Sequence, residues 1–186
     1  MKKLAVVKIT MLFLLLLCIC SLLYIFFRAK YFQDTQEVLI ENIEKTIENN
    51  IEKEKNILKD GEIGILIIPS IDVKAPICEG ISSDVLKFSV GHFEETNLWN
   101  GNVALASHNR GSYAHYFSRI NELKNGEEII YITNMGERRY KVTESKIIKE
   151  TNVEILKDTK ENIITLITCV TGKRDKRLCV IGKEIY

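Results

Sequence analysis

Apolar and polar positions along the chain fall into three regimes. Residues 9–27 run without a charge, interrupted only by the hydroxyls of Thr10 and Ser21. About twenty apolar residues at helical rise cover roughly 30 Å, the thickness of a bilayer's hydrocarbon core. Lys2, Lys3 and Lys8 precede the run, Tyr24, Phe26 and Phe27 stand near its end, and Arg28 and Lys30 close it. No small-residue cleavage site follows, so residues 1–30 read as an uncleaved, single-pass signal anchor. The leading lysines place the N-terminus in the cytoplasm and the remainder outside, although Arg28 and Lys30 weaken that bias. In residues 33–59, Val38, Leu39, Ile43, Ile47 and Ile51 recur at helical spacing among Glu, Lys and Asn. Asp60 followed by Gly61 is a stop, which predicts a helical stalk or linker over residues 31–60.

From Glu62 the period shortens. Apolar, β-rich runs at 63–68, 73–78, 102–107, 127–133, 138–148, 163–168 and 178–185 predict strands. Pro69 halts the first, and turns are expected at Asn125-Gly126 and Asn134 to Gly136. Ser82 and Ser83 offer caps for a short helical turn. Tyr116, Phe117, Ile120 and Leu123 are spaced for a short helix over 113–123, and 151–156 suggests another turn of helix. Short strands with few helices favour a closed or nearly closed barrel over residues 61–186.

A net charge of +1 on 186 residues excludes the basic excess of a nucleic-acid binder. Of five cysteines, Cys18 and Cys20 lie inside the apolar span and act there as small hydrophobes. Cys78 reads as a structural thiol. Cys169 is different: it ends the run 163–168 and precedes a polar, basic stretch, Thr171 to Arg177, where positive charge favours the thiolate. His108 follows the strand 102–107, so it too stands at a strand end, and strand ends meet at one mouth of a small barrel. His92, placed in a loop, and His115, on the short helix, read as packing or surface residues. Arg177 begins the last strand; it stays protonated and can donate to an oxyanion or hold a substrate backbone, but cannot act as a base. Arg174 is its rival, mid-loop and facing solvent. Cys179, two residues on, shares the strand face of Arg177.

Thr165-Leu166-Ile167-Thr168-Cys169 resembles the TLxTC signature of the sortase family. Arg177-Leu178-Cys179-Val180 resembles that family's arginine strand, and Gly101 to His108, GNVALASH, its histidine motif, with Ser107 in place of the usual glycine. The resemblance covers roughly the last two thirds of the chain, with histidine, cysteine and arginine in the family's order. It implies an eight-stranded β-barrel and a cysteine transpeptidase that cuts an LPxTG-like sorting signal of secreted proteins through a thioacyl intermediate. The acceptor would be a cell-wall amine such as a peptidoglycan precursor, in a Gram-positive-type host. Cys169, His108 and Arg177 would be catalytic, with Thr168 and the nearby backbone supporting the substrate or oxyanion. No metal or organic cofactor is implied. Without a lid motif before the barrel or a long insertion before the cysteine strand, the chain resembles a compact class of the family, of the class D kind. Two rivals are a hydrolytic cell-wall cysteine peptidase and a non-catalytic, membrane-anchored binding module.

Overall fold

The computed structural model of the chain describes residues 2–51, 61–111 and 113–185. These group into two compact units, divided between Thr35 and Gln36. In the first, the described side chains of the apolar run, Met11 and residues 14–27, are exposed on helix α1 (Lys2–Ile51), which is long and apolar enough to cross a membrane. Ile47 and Ile51 of the stalk pattern lie where side chains are not described, and Asp60 of the expected stop lies outside the described residues. Within the second unit, Ile43 of α1 is fully buried, and Glu44 accepts from Lys74 Nζ at 2.6 Å.

The second unit is built on eight strands: β1 (Glu62–Ile68), β2 (Val73–Glu79), β3 (Val90–His92), β4 (Asn102–Ala106), β5 (Glu128–Thr133), β6 (Gly136–Lys149), β7 (Ile163–Val170) and β8 (Lys173–Glu184). They close into a barrel in the order β1-β2-β3-β4-β7-β8-β6-β5, with β5 pairing back to β1. Most neighbours are antiparallel; β2 with β3 and β4 with β7 are parallel. Closure pairs every described strand on both sides, and alternate residues of each strand fill the interior. Leu66, Leu105, Ile129, Ile164, Leu166 and Val180, all inaccessible to solvent, are part of that core.

Three expectations are corrected. Residues 113–123 do not form a helix: only a 3-10 turn at Ile120–Glu122 appears. The apolar spacing there is real, since Phe117, Ile120 and Leu123 are buried. But two amides that a helix would use go elsewhere, Ala114 N–H to Lys87 O and Phe117 N–H to His108 O, and those of Ser118, Glu122 and Leu123 close only three-residue turns. The segment around His92 is strand β3 and not loop; three residues are too few to show a period. The polar stretch after Cys169 is mostly strand. Only Thr171 and Gly172 turn, with Gly172 at φ 77°, and β8 already runs from Lys173. Five consecutive charged residues, Lys173 to Arg177, conceal this half of the hairpin, because none of them is buried and no apolar period marks the strand.

The helical turn capped by Ser82 is α2 (Ser83–Leu86), whose Val85 N–H donates to Ser82 Oγ. The turn of helix expected near 151–156 is a 3-10 turn, Val153–Leu156.

Candidate active site

The alternation of β7 decides where its chemistry points. Ile164 and Leu166 enter the barrel core, so Thr165, Ile167 and Cys169 face outward. Thr165 and Ile167 are nevertheless buried, while Cys169 is exposed. The cover is the connection between β6 and β7, and it is pinned from below. Asn102 Nδ2 donates to Ile155 O (2.9 Å) and Lys157 O (3.1 Å), and its Oδ1 accepts from Thr165 Oγ1 at 2.8 Å. Gly101 takes φ 73°, and a Cβ there would collide with the carboxylate of Asp158. The Gly-Asn pair and Thr165 are therefore one device that seats a loop on the outer wall.

Between that loop and the wall lies a cleft of about 340 Å³. Ile81, Leu86, Phe93, Val153, Ile155, Leu156 and Ile167 make it apolar; His108, Glu150, Cys169 and Arg177 also line it. Cys169 and Arg177 are direct partners across the β7–β8 ladder, so their side chains share a face with Cβ atoms about 5 Å apart. His108 continues β4, which runs parallel to β7 and pairs Ala106 with Ile167. The three groups converge on the outer wall at its rim rather than in the mouth, because strand alternation sends Leu166 and Leu105 inward and leaves Cys169 outside.

The guanidinium of Arg177 is held on two sides. Its Nη1 donates to Arg174 O (2.7 Å) and Lys176 O (2.9 Å), and its Nη2 to Glu150 Oε2 (2.8 Å). These three bonds engage three of its five N–H donors. Arg174 itself is exposed and contributes only its carbonyl. Thr168 is buried, lines the cleft, and donates its hydroxyl to Ser107 O at 2.7 Å. The hydroxyl of Ser107 is buried without a partner.

A second cavity of about 310 Å³ opens on the other side of Cys169, lined in part by Asn109, Ser118, Asn121, Thr168, Thr171 and Leu178. Asn109 Nδ2 donates to Cys169 O and lies 3.4 Å from Thr171 Oγ1. Glu150 and Asn109 were not singled out by sequence reasoning. Asn109 was within reach as the polar neighbour of His108; nothing local marks Glu150 except its place at the start of the covering loop.

The remaining candidates separate cleanly. His92 is 1% exposed, with Nδ1 against Glu79 Oε1 (2.7 Å) and Nε2 near Asn97 O and Thr96 Oγ1 (3.1 Å each). His115 is a surface residue whose Nδ1 meets Tyr113 O at 2.9 Å. Cys179 faces outward opposite Ile167 but is buried, which pushes its thiol up to about 12. Burial also raises the thiol of Cys78. One expected result follows. With the chain folded at pH 8, iodoacetamide should modify Cys169 at least about tenfold faster than Cys78 or Cys179, since only thiolate reacts. Peptide mapping after brief alkylation checks it; equal modification of all three would contradict this geometry.

Fold and site together describe a closed β-barrel that presents a thiol, an imidazole and a guanidinium along an apolar cleft on its outer wall. Residues 66–185 match the Sortase domain, and the chain belongs to the sortase family. It is 32% identical over 130 residues to Sortase D of Bacillus subtilis, covering 66% of this chain and 63% of that protein's length. Among solved structures, a Clostridium perfringens Sortase D5 transpeptidase is similar at 30% identity and TM-score 0.65, over 83% of this chain and 98% of that one. Clostridium perfringens sortase C, solved with the C-terminal cell wall sorting motif, is similar at 29% identity and TM-score 0.63, over 83% and 90% of the two chains.

Proposed function

We propose that the protein is a membrane-anchored cysteine transpeptidase that joins secreted proteins bearing an LPxTG-like sorting signal to a cell-wall amine. The observation that carries this reading is the shared cleft: Cys169 and Arg177 are paired across β7 and β8, and His108 lines the same apolar groove. An extended peptide suits such a groove, with its apolar residues against Ile81, Leu86 and Phe93 and its scissile bond at the rim. Cys169 Sγ attacks the threonine carbonyl. Arg177 and backbone N–H groups beside Thr168 and Cys169 receive the developing oxyanion. The C–N bond breaks as His108 gives its proton to the leaving glycine amine, and a thioester remains on Cys169. An acceptor amine then attacks the thioester, His108 takes its proton, and the thiolate leaves. The reaction is acyl transfer in two steps, with no net oxidation.

The relative solved with a cell wall sorting motif supports the substrate class. The apolar N-terminal helix supports an anchor, with the lysines before it on the cytoplasmic side and residues 61–186 outside as the catalytic domain. The compact β6–β7 connection and the similarity to a Sortase D and a Sortase D5 support a class D-like enzyme.

The test uses the full chain in detergent, a panel of LPxTG-like peptides, and triglycine or diaminopimelate as amine, with products read by mass spectrometry. A peptide–amine adduct is expected, at the expense of hydrolysis. Hydrolysis with no adduct would favour a peptidase; no turnover by reduced, reactive Cys169 across the panel would favour a binding module.

A further inference from the structure

β4 and β7 pair in parallel up to Ala106 opposite Ile167. Past that rung the two chains carry His108 and Cys169, and the ladder no longer spaces them. Three hydrogen bonds take over. Ser107 N–H donates to Ile167 O at 3.3 Å, Thr168 Oγ1 donates to Ser107 O at 2.7 Å, and Asn109 Nδ2 donates to Cys169 O. They tie the two chains together at successive residues of β7, from 167 to 168 to 169, and two of the three are supplied by side chains. They also bracket the histidine, with Ser107 before it and Asn109 after it.

The Asn109 bond falls at a weak point. The register of β7 with β8 shifts between Cys169 and Val170. Three residues of β8, Arg174 to Lys176, have no partner on β7 there; such an irregularity interrupts the ladder, so the backbone of Cys169 needs an anchor from another direction. Asn109 supplies it, and its amide also reaches toward Thr171 in the turn that follows. Asn109 lines the second cavity and not the cleft shared by His108 and Arg177. Its influence on the placing of Cys169 against His108 therefore runs through the main chain.

The geometry assigns to Asn109 the part of a positioning residue: its side-chain amide carries the β4–β7 seam past the last ladder rung and fixes the spacing of His108 from Cys169. This rests on reading His108 and Cys169 as the reacting pair. The chemistry of the side chain fits the task. A neutral amide donates to a carbonyl without placing a charge beside the thiol and imidazole, whereas a carboxylate of the same shape has no N–H to give. Positioning matters because a shift of about 1 Å between reacting groups costs on the order of 100-fold in rate.

The experiment takes the full chain in detergent and compares wild type with Asn109→Ala, Asn109→Asp and, as a control, Arg110→Ala, an exposed neighbour. Steady-state peptide–amine transfer is one readout. The rate of Cys169 alkylation by iodoacetamide, with His108 present or replaced by alanine, is the other. Both Asn109 variants should lose about 10- to 100-fold in kcat. KM for the peptide should stay within about twofold, as for an interaction that acts only in the chemical step. Arg110→Ala should behave as wild type. Asn109→Ala should slow alkylation severalfold when His108 is present and leave it unchanged in His108→Ala, the non-additivity of coupled residues. A fully active Asn109→Asp would overturn the assignment. So would a fall in alkylation of equal size in both backgrounds, the mark of a general loosening. If the wild type forms no adduct, the transpeptidase reading fails on that arm, and the alkylation cycle still decides whether Asn109 couples the histidine to the thiol.

Discussion

Cys169→Ala should leave no measurable peptide–amine adduct, a loss of at least about 10⁴-fold, and should leave the fold unchanged. The first half follows from covalent catalysis: without Sγ no thioester forms, and nothing else in the cleft replaces it. Cys179 is buried with its thiol pushed up to about 12, and Cys78 is held up by burial as well, so neither stands in. The second half follows from exposure. Cys169 is exposed at the end of β7, and exchanging an exposed side chain away from the core moves stability by about 0.5 kcal/mol or less. His108→Ala should fall by about 10²- to 10⁴-fold, because one proton transfer in each half-reaction loses its carrier. The double variant should be no worse than Cys169→Ala alone, since the two act as a unit. Intact-protein mass spectrometry checks the mechanism directly. Wild type mixed with peptide and no amine should gain the mass of the acyl fragment, and Cys169→Ala should gain none. An acyl adduct on Cys169→Ala, or turnover within tenfold of wild type, would refute the assignment of the nucleophile.

Much of this site is legible in the sequence because the residues that carry it are also residues that a barrel spaces regularly. Thr165-Leu166-Ile167-Thr168-Cys169 is a strand with a period of two, so its outward members follow once Leu166 is assigned inward. The turn at Thr171 and Gly172 pairs Val170 with Lys173 and by itself would set Arg174 opposite Cys169; a slip of three residues on β8 sets Arg177 there instead, and the strand pattern does not announce that slip. What the pattern could not reveal depends on contacts between distant segments. Glu150 meets Arg177 only because β6 pairs with β8 up to Lys149 opposite Lys176. Residues 113–123 have helical spacing, but the amides of Ala114 and Phe117 go to carbonyls at Lys87 and His108, pairings that apolar spacing does not encode. Strand β3 is three residues long and is held by pairing to β2 and β4, and no apolar period marks the charged start of β8. The placement of the site on the outer wall also came from pairing: strand ends alone suggest a mouth, and only the register shows which side of the wall each side chain takes.

Arg177→Lys should lower kcat/KM by about 10²-fold or more, nearly as much as Arg177→Ala, although it keeps the charge. The guanidinium is a planar fork, and here three of its N–H groups are already committed to Arg174 O, Lys176 O and Glu150. Those bonds fix the plane of a guanidinium that lines the cleft. An ammonium has three donors and no plane; to satisfy the same carbonyls and carboxylate it must turn away from the substrate. Removal of one preorganised donor to an oxyanion costs about 10²- to 10³-fold in kcat. Glu150→Gln keeps an oxygen that accepts from Nη2 but gives up the charge, and a side chain this exposed gains little from its charge in water. It should therefore lose less than about tenfold. The partition between kcat and KM then identifies what Arg177 does. A fall confined to kcat places its donors on the oxyanion, which exists only in the transition state. A rise confined to KM places them on the peptide backbone of the bound signal. Steady-state kinetics of the four proteins on one peptide measure this. An Arg177→Lys enzyme within threefold of wild type would show that charge alone suffices, and that the cross-strand pairing of Arg177 with Cys169 serves the strand and not the reaction.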